Sequence, residues 1–145
     1  MPDWVEKGTA EYAKRIQHDL GFTLVEVPMA KRSKSSNIDQ CIKKEGDGML
    51  AKIAASDYLV ALDVLGKSLD TPALAERLSW IQEQGRNIAL LVGGPDGLDQ
   101  RCLDRADESW SLSALTLPHP LVRILVAEQL YRAHSLNKGH PYHRD

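Results

Sequence analysis

The chain has 145 residues, 43% hydrophobic and 26% charged, with 18 basic against 20 acidic side chains and a net charge of −2. That balance fits a single globular domain over residues 1–145 and excludes a disordered chain or a protein that captures nucleic acid by net positive field alone. Cys41 and Cys102 lack CxxC spacing, which gives neither a disulfide framework nor a zinc site, and the start Met1-Pro2-Asp3-Trp4 carries no secretory signal, so a cytoplasmic protein is expected.

Asp3 and Glu6 have the spacing of a capping box, and Val5, Tyr12 and Ile16 recur at helical intervals, which predicts an amphipathic helix over 4–18. Phe22 to Val27 alternates like a strand. Lys31, Arg32, Ser33, Lys34, Ser35 and Ser36 form a basic, serine-rich loop. Ile38, Ile42, Met49 and Ile53 mark a second helix, weakened by Gly46 and Gly48. Tyr58 to Asp63 is an apolar strand. Thr71 as N-cap and Pro72 at N1 open a helix that Gly85 ends. Asn87 to Val92 is a second apolar strand, running into Gly93-Gly94-Pro95-Asp96-Gly97. A short helix near 100–106, a short strand near 109–112 and a final helix from Pro120 to about Ser135 complete the order.

Strands alternate with helices, and the strands 58–63 and 87–92 are apolar throughout, as central parallel strands buried on both faces must be. The expected fold is α/β with a doubly wound parallel sheet. Ligands of such sheets sit outside the carboxyl ends of the strands. Those ends carry Leu62-Asp63, Gly93-Gly94 and the segment Trp110 to Pro120, whose composition suits a tight, buried loop lining a small molecule.

Gly66-Lys67-Ser68 is not a P-loop, because Ala61 stands where the motif needs its first glycine. Gly93 to Gly97 is not a dinucleotide fingerprint. It is either a simple reversal or a place where backbone approaches an adenosine-like ligand closely. His119, His134, His140 and His143 have no accompanying carboxylate cluster, so no metal is expected. His119 suits either a general base or a helix cap. In the tail, Tyr142 can stack and Arg144 can grip a phosphate or a base carbonyl, unless the end is simply frayed.

Taken together, LLVGGPDGL, WSLSALTLPHPLVRILVAEQLYRA and HPYHRD resemble the RlmH (YbeA-type) family of SPOUT methyltransferases, along essentially the whole chain. The resemblance implies an α/β fold with a C-terminal trefoil knot, a homodimer, and S-adenosylmethionine-dependent methylation of N3 of a pseudouridine in 23S ribosomal RNA. It places the cofactor at Leu62, Asp63, Gly94, Ser113, Ala114, Leu115, Thr116, Leu117 and Pro118. It gives His119, Tyr142 and Arg144 catalytic roles, and it sets His143 against the RNA. From composition, the loop cations Lys31, Arg32 and Lys34 are added as RNA contacts, and the scarcity of other basic patches points to assembled ribosomes as substrate. Family members carry a short strand before the segment that begins at Met1, so a missing N-terminal strand is expected. A tRNA methyltransferase of the same fold and a non-enzymatic ribosome- or RNA-binding module are the alternatives.

Overall fold

Two helices, then strands and helices in alternation, follow in the order α1 (Asp3–Leu20), α2 (Ile38–Ala51), β1 (Tyr58–Ser68), α3 (Thr71–Glu83), β2 (Ile88–Val92), α4 (Gln100–Arg105), β3 (Glu108–Ser111), α5 (His119–Asn137). The computed structural model describes residues 2–140 and Tyr142. They form two compact units, each assembled from separate stretches: Met1–Val25, Leu69–Gln84 and Leu117–Asp145 in one, Glu26–Ser68 and Gly85–Thr116 in the other.

The first unit is helical, and α5 packs against both α1 and α3. Helix α1 buries Val5, Thr9 and Ile16, one stripe at helical spacing, and ends at Gly21 in the left-handed region (φ 63°). The expected capping box is not formed. Pro2 is the N-cap, its carbonyl accepts from the amides of Val5 and Glu6, and Asp3 already lies inside the first turn. The cap of α3 is likewise one residue earlier than the sequence suggests. Asp70 accepts from the Ala73 amide at 2.9 Å, which frees the Thr71 hydroxyl to donate to Gln129 Oε1 of α5 at 2.9 Å. Asn137 Nδ2 donates to the Ala75 carbonyl at 3.0 Å and ties the far end of α5 to α3.

The second unit holds a parallel three-stranded sheet in the order β2-β1-β3. Only β1 is central, and its Tyr58, Leu59, Val60 and Ala61 are all buried. Expecting β2 to be buried on both faces was wrong: it is an edge strand of this sheet, and only Leu91 is buried. Leu59 and Leu91 form a core with Cys102 of α4, flanked by Met49, Leu50, Ile53 and Leu98. Burial pushes the Cys102 thiol pKa up, so it behaves as a small apolar side chain.

Two further expectations fail. Residues 22–27 form no strand, and Leu24 and Val25 stand exposed. Alternation alone cannot make a strand, whose amides and carbonyls need a neighbouring ladder, and no described strand pairs with this run. Conversely, β1 continues beyond Asp63 to Ser68, so Gly66-Lys67-Ser68 lies in a strand and not in a phosphate loop.

Candidate active site

The register of the sheet brings several of the expected cofactor residues, Leu62, Asp63, Gly94 and Ser113, to one edge. Leu62 pairs with Val92 of β2 and with Trp110 of β3. The residues that follow these three in the chain are Asp63, Gly93-Gly94 and Ser111 to Ser113. Parallel strands in register must place them side by side at the carboxyl end of the sheet. Trp110 pairs with both Leu62 and Lys67, so the residues between them leave the ladder as an irregularity, with Val64 and Leu65 exposed and Asp63 at its start. Such bulges re-aim side chains beside sites.

The loop after β3 is not buried as its composition suggests. Ala114, Leu115 and Thr116 are exposed, Leu115 at 72%. The loop is held by its own hydroxyls: Ser111 Oγ donates to the Ser113 carbonyl at 2.9 Å, and Ser113 Oγ accepts from the Leu115 amide at 3.0 Å. These bonds turn the apolar side chain outward. Leu117 and Pro118 lead into α5, where Pro118 is the N-cap without a side-chain bond and His119 is the first helical residue.

The turn after β2 is closed by the Gly97 amide donating to the Gly94 carbonyl at 3.1 Å, with Gly97 at φ 88°. A side chain at Gly94 would be tight for a reason internal to this unit. A Cβ there would stand 3.0 Å from Glu45 Oε1. Glu45 is a buried carboxylate (5% exposed) on α2, a residue the sequence reading passed over. It accepts from the Ala30 amide at 3.0 Å, from Arg32 Nη1 at 2.6 Å and from Arg32 Nη2 at 3.2 Å. Arg32 also donates through Nε to Asp96 Oδ2 at 2.8 Å and through Nη1 to the Ala30 carbonyl at 2.9 Å. These carboxylates raise the guanidinium pKa further above its ordinary value. Arg32, expected as an RNA contact, makes four donations to groups of its own chain. Lys31 and Lys34 of the same loop are exposed.

Next along the chain, Asp99 caps α4 by accepting from the Arg101 amide at 2.9 Å. The Arg101 guanidinium holds this carboxyl below the usual carboxylate range and also meets Asp47 of α2 at 2.8 Å. Glu45 and Asp96 carry no local sequence signal, whereas Asp99 carries that of an N-cap. Their partners are 13, 64 and 2 residues away, and two of those separations match no helical or strand period.

In the helical unit, Tyr142 donates its hydroxyl to Glu128 Oε2 of α5 at 3.0 Å, and its ring lies 4.4 Å from that of Tyr131. Arg132 stacks over the same ring at 5.0 Å. Burial first and the Glu128 bond second push the Tyr142 phenol up to about 12. His143 and Arg144 lie outside the described residues.

The exposed loop 113–116 has no charged side chain, and it shares its sheet edge with Leu62 and the Gly93-Gly94 backbone. Apolar surface beside main-chain donors and acceptors suits an adenosine with a short polar tail, so the residues present fit S-adenosylmethionine.

Comparison with known proteins agrees. The family model described as "Predicted SPOUT methyltransferase" matches residues 1–143. The chain is 57% identical over 144 residues to the ribosomal RNA large subunit methyltransferase H of Saccharophagus degradans, covering 99% of this chain and 93% of that protein. It is 54% identical over 144 residues, with the same coverage, to the protein of that name from Marinomonas sp.. With a parallel α/β sheet consistent with the knotted SPOUT topology, the chain belongs to the SPOUT methyltransferase family, whose methyl donor is S-adenosylmethionine.

Proposed function

We propose that this protein methylates N3 of a pseudouridine in 23S ribosomal RNA, acting on assembled large subunits in the cytoplasm as a homodimer with one methyltransferase domain per chain. The observation that carries the reading is the near-complete match, at 57% identity, to a protein named for methylating large-subunit ribosomal RNA.

S-adenosylmethionine supplies an electrophilic methyl group on a sulfonium. The task left to the protein is alignment. Leu62, Asp63, Gly94 and the 113–118 segment form the cofactor pocket. Arg144, beside the carbonyls of the target base, favours loss of the N3 proton by stabilising the anion. Tyr142 stacks on or positions that base, and His119 is the general-base candidate. Lys31, Lys34 and His143 contact the RNA backbone. With so few cations, tight binding of naked RNA at physiological salt is not available, and a preformed ribosomal surface read by shape supplies the rest.

The dimer is supported by the helical unit, which exposes Leu121 and Leu125 one turn apart on α5, as well as Trp4 of α1. A second copy would cover them across a two-fold interface. The test is mass spectrometry of RNA after incubation with the purified protein and cofactor. N3-methylpseudouridine is expected in 23S RNA from ribosomes and not from naked RNA. Equal methylation of both, or modification of tRNA instead, would refute the reading.

A further inference from the structure

Four donations from Arg32 converge on three pieces of chain. Nε reaches Asp96 in the glycine-rich turn, Nη1 and Nη2 fork onto Glu45 of α2, and Nη1 also holds the Ala30 carbonyl of its own loop. The Glu45 carboxylate so fixed is the group that stands against Gly94, close enough that even a methyl there would press on it at 3.0 Å. One guanidinium thus ties the turn at Asp96 by an ion pair and fixes the Glu45 carboxylate that limits what can stand at Gly94. Of the two carboxylates, Glu45 is almost wholly buried, so its pairing is not a screened surface contact. A lysine could supply the charge but not the fork, because it is a point donor.

We propose that Arg32 is a positioning residue of the methyltransferase site, fixing the 94–97 turn in the shape that accepts the cofactor, and is not an RNA contact. The proposal rests on Gly94 being a wall of the cofactor pocket. Holding a backbone wall in place affects cofactor affinity, because a loosened turn must be ordered again each time the ligand binds. It leaves the docking of ribosomes untouched.

The experiment uses the full-length protein, calorimetry with S-adenosylmethionine, and steady-state methylation of ribosomes. Arg32→Lys is expected to weaken cofactor affinity about tenfold. Its kcat at saturating cofactor should stay within about threefold of wild type and its KM for ribosomes within about twofold. Asp96→Ala, which removes only the turn's end of the tether, is expected to weaken cofactor affinity about threefold, and the double variant should be no worse than Arg32→Lys alone. Should Arg32→Lys fold poorly, the Asp96→Ala result stands by itself. Unchanged cofactor affinity in the folded variants, or a raised and more salt-sensitive KM for ribosomes in Arg32→Lys, would overturn the proposal. Strictly additive losses would overturn it too. Leu115→Glu separates this failure from that of the pocket: if it leaves cofactor affinity unchanged, the pocket itself is misplaced, whereas if it abolishes binding while Arg32→Lys does not, only the positioning role falls.

Discussion

Gly46 sits inside α2, where propensity alone says that alanine would be better by about 1 kcal/mol. The packing says the opposite. A Cβ at position 46 would lie 2.4 Å from Asp99 Oδ2, 2.8 Å from its Cγ and 2.6 Å from its Cβ. The carboxylate could swing aside, but the Asp99 Cβ is fixed by the backbone, so relief requires α2 and the start of α4 to move apart. Overpacking of this kind costs about 1–3 kcal/mol. Displacing Asp99 also weakens the cap of α4, about 1 kcal/mol more. After the propensity gain, Gly46→Ala should be less stable by about 2 kcal/mol, a fall in Tm of roughly 4–8 °C for a chain of this size. Gly48→Ala is the control. Its Cβ would meet only Val27 Cγ1, at 2.7 Å, the branch end of a side chain in a segment without regular structure. That contact can yield, so Gly48→Ala should be neutral or slightly stabilising. Thermal unfolding followed by circular dichroism reads both. Equal Tm values for the two variants, or a rise in Gly46→Ala, would refute the close approach of α2 to Asp99.

Leu115→Glu should abolish cofactor binding without lowering Tm, because the side chain it replaces is exposed; calorimetry and a melting curve check it. The Tyr142 phenol, at about 12 against an ordinary value near 10, should stay neutral at any working pH. Its raised pKa stabilises the fold fully below about 10, and that contribution is lost as pH rises through about 12. The tyrosinate absorbance lost in Tyr142→Phe should therefore appear near 12 in the parent and shift down in Glu128→Gln; a normal titration in the parent would refute the contact. Leu121→Lys with Leu125→Lys should convert the proposed dimer to a monomer in sedimentation, and an unchanged mass would remove the α5 interface. If the tail of each chain completes the cofactor site of its partner in the proposed dimer, Leu115→Glu and Arg144→Ala chains should together regain partial activity, because one of the two composite sites would carry neither defect; no recovery with heterodimers present would place the whole site in one chain.

Local periodicity made much of this architecture readable. The stripe of Val5 and Ile16, the apolar run from Tyr58 and the Gly93 turn report their own neighbours in the sequence, and all lie in the expected element types. The helix starts were one residue out at Asp3 and Thr71: Asp70 and Thr71 are both capping residues and only the three-dimensional bond selects one, while α1 begins at Asp3 itself behind Pro2, which makes no side-chain cap bond. The run 22–27 misled because alternation describes a face but cannot supply a partner. Arg32 shows the same limit, because its pairing with buried and distant carboxylates leaves no mark in the sequence. In a list of basic residues it is indistinguishable from Lys31 and Lys34, and its carboxylates are 13 and 64 residues away.

That last difference follows from how a parallel sheet builds a site. Strands in register bring together the residues after Leu62, Val92 and Trp110, and this convergence can be anticipated once the strands are recognised. The backbone of each following turn must then be held at a fixed height above the sheet edge, and nothing in the strands does so. The supports come from a neighbouring helix: Glu45 and Gly46 of α2 face Gly94 and Asp99, while Arg101 reaches back to Asp47 and the Lys43 carbonyl. A helix pinned through one buried carboxylate and one missing side chain has little freedom to slide. The two adjacent residues Glu45-Gly46, which looked like a weak point in a helix, therefore set the geometry of the turn.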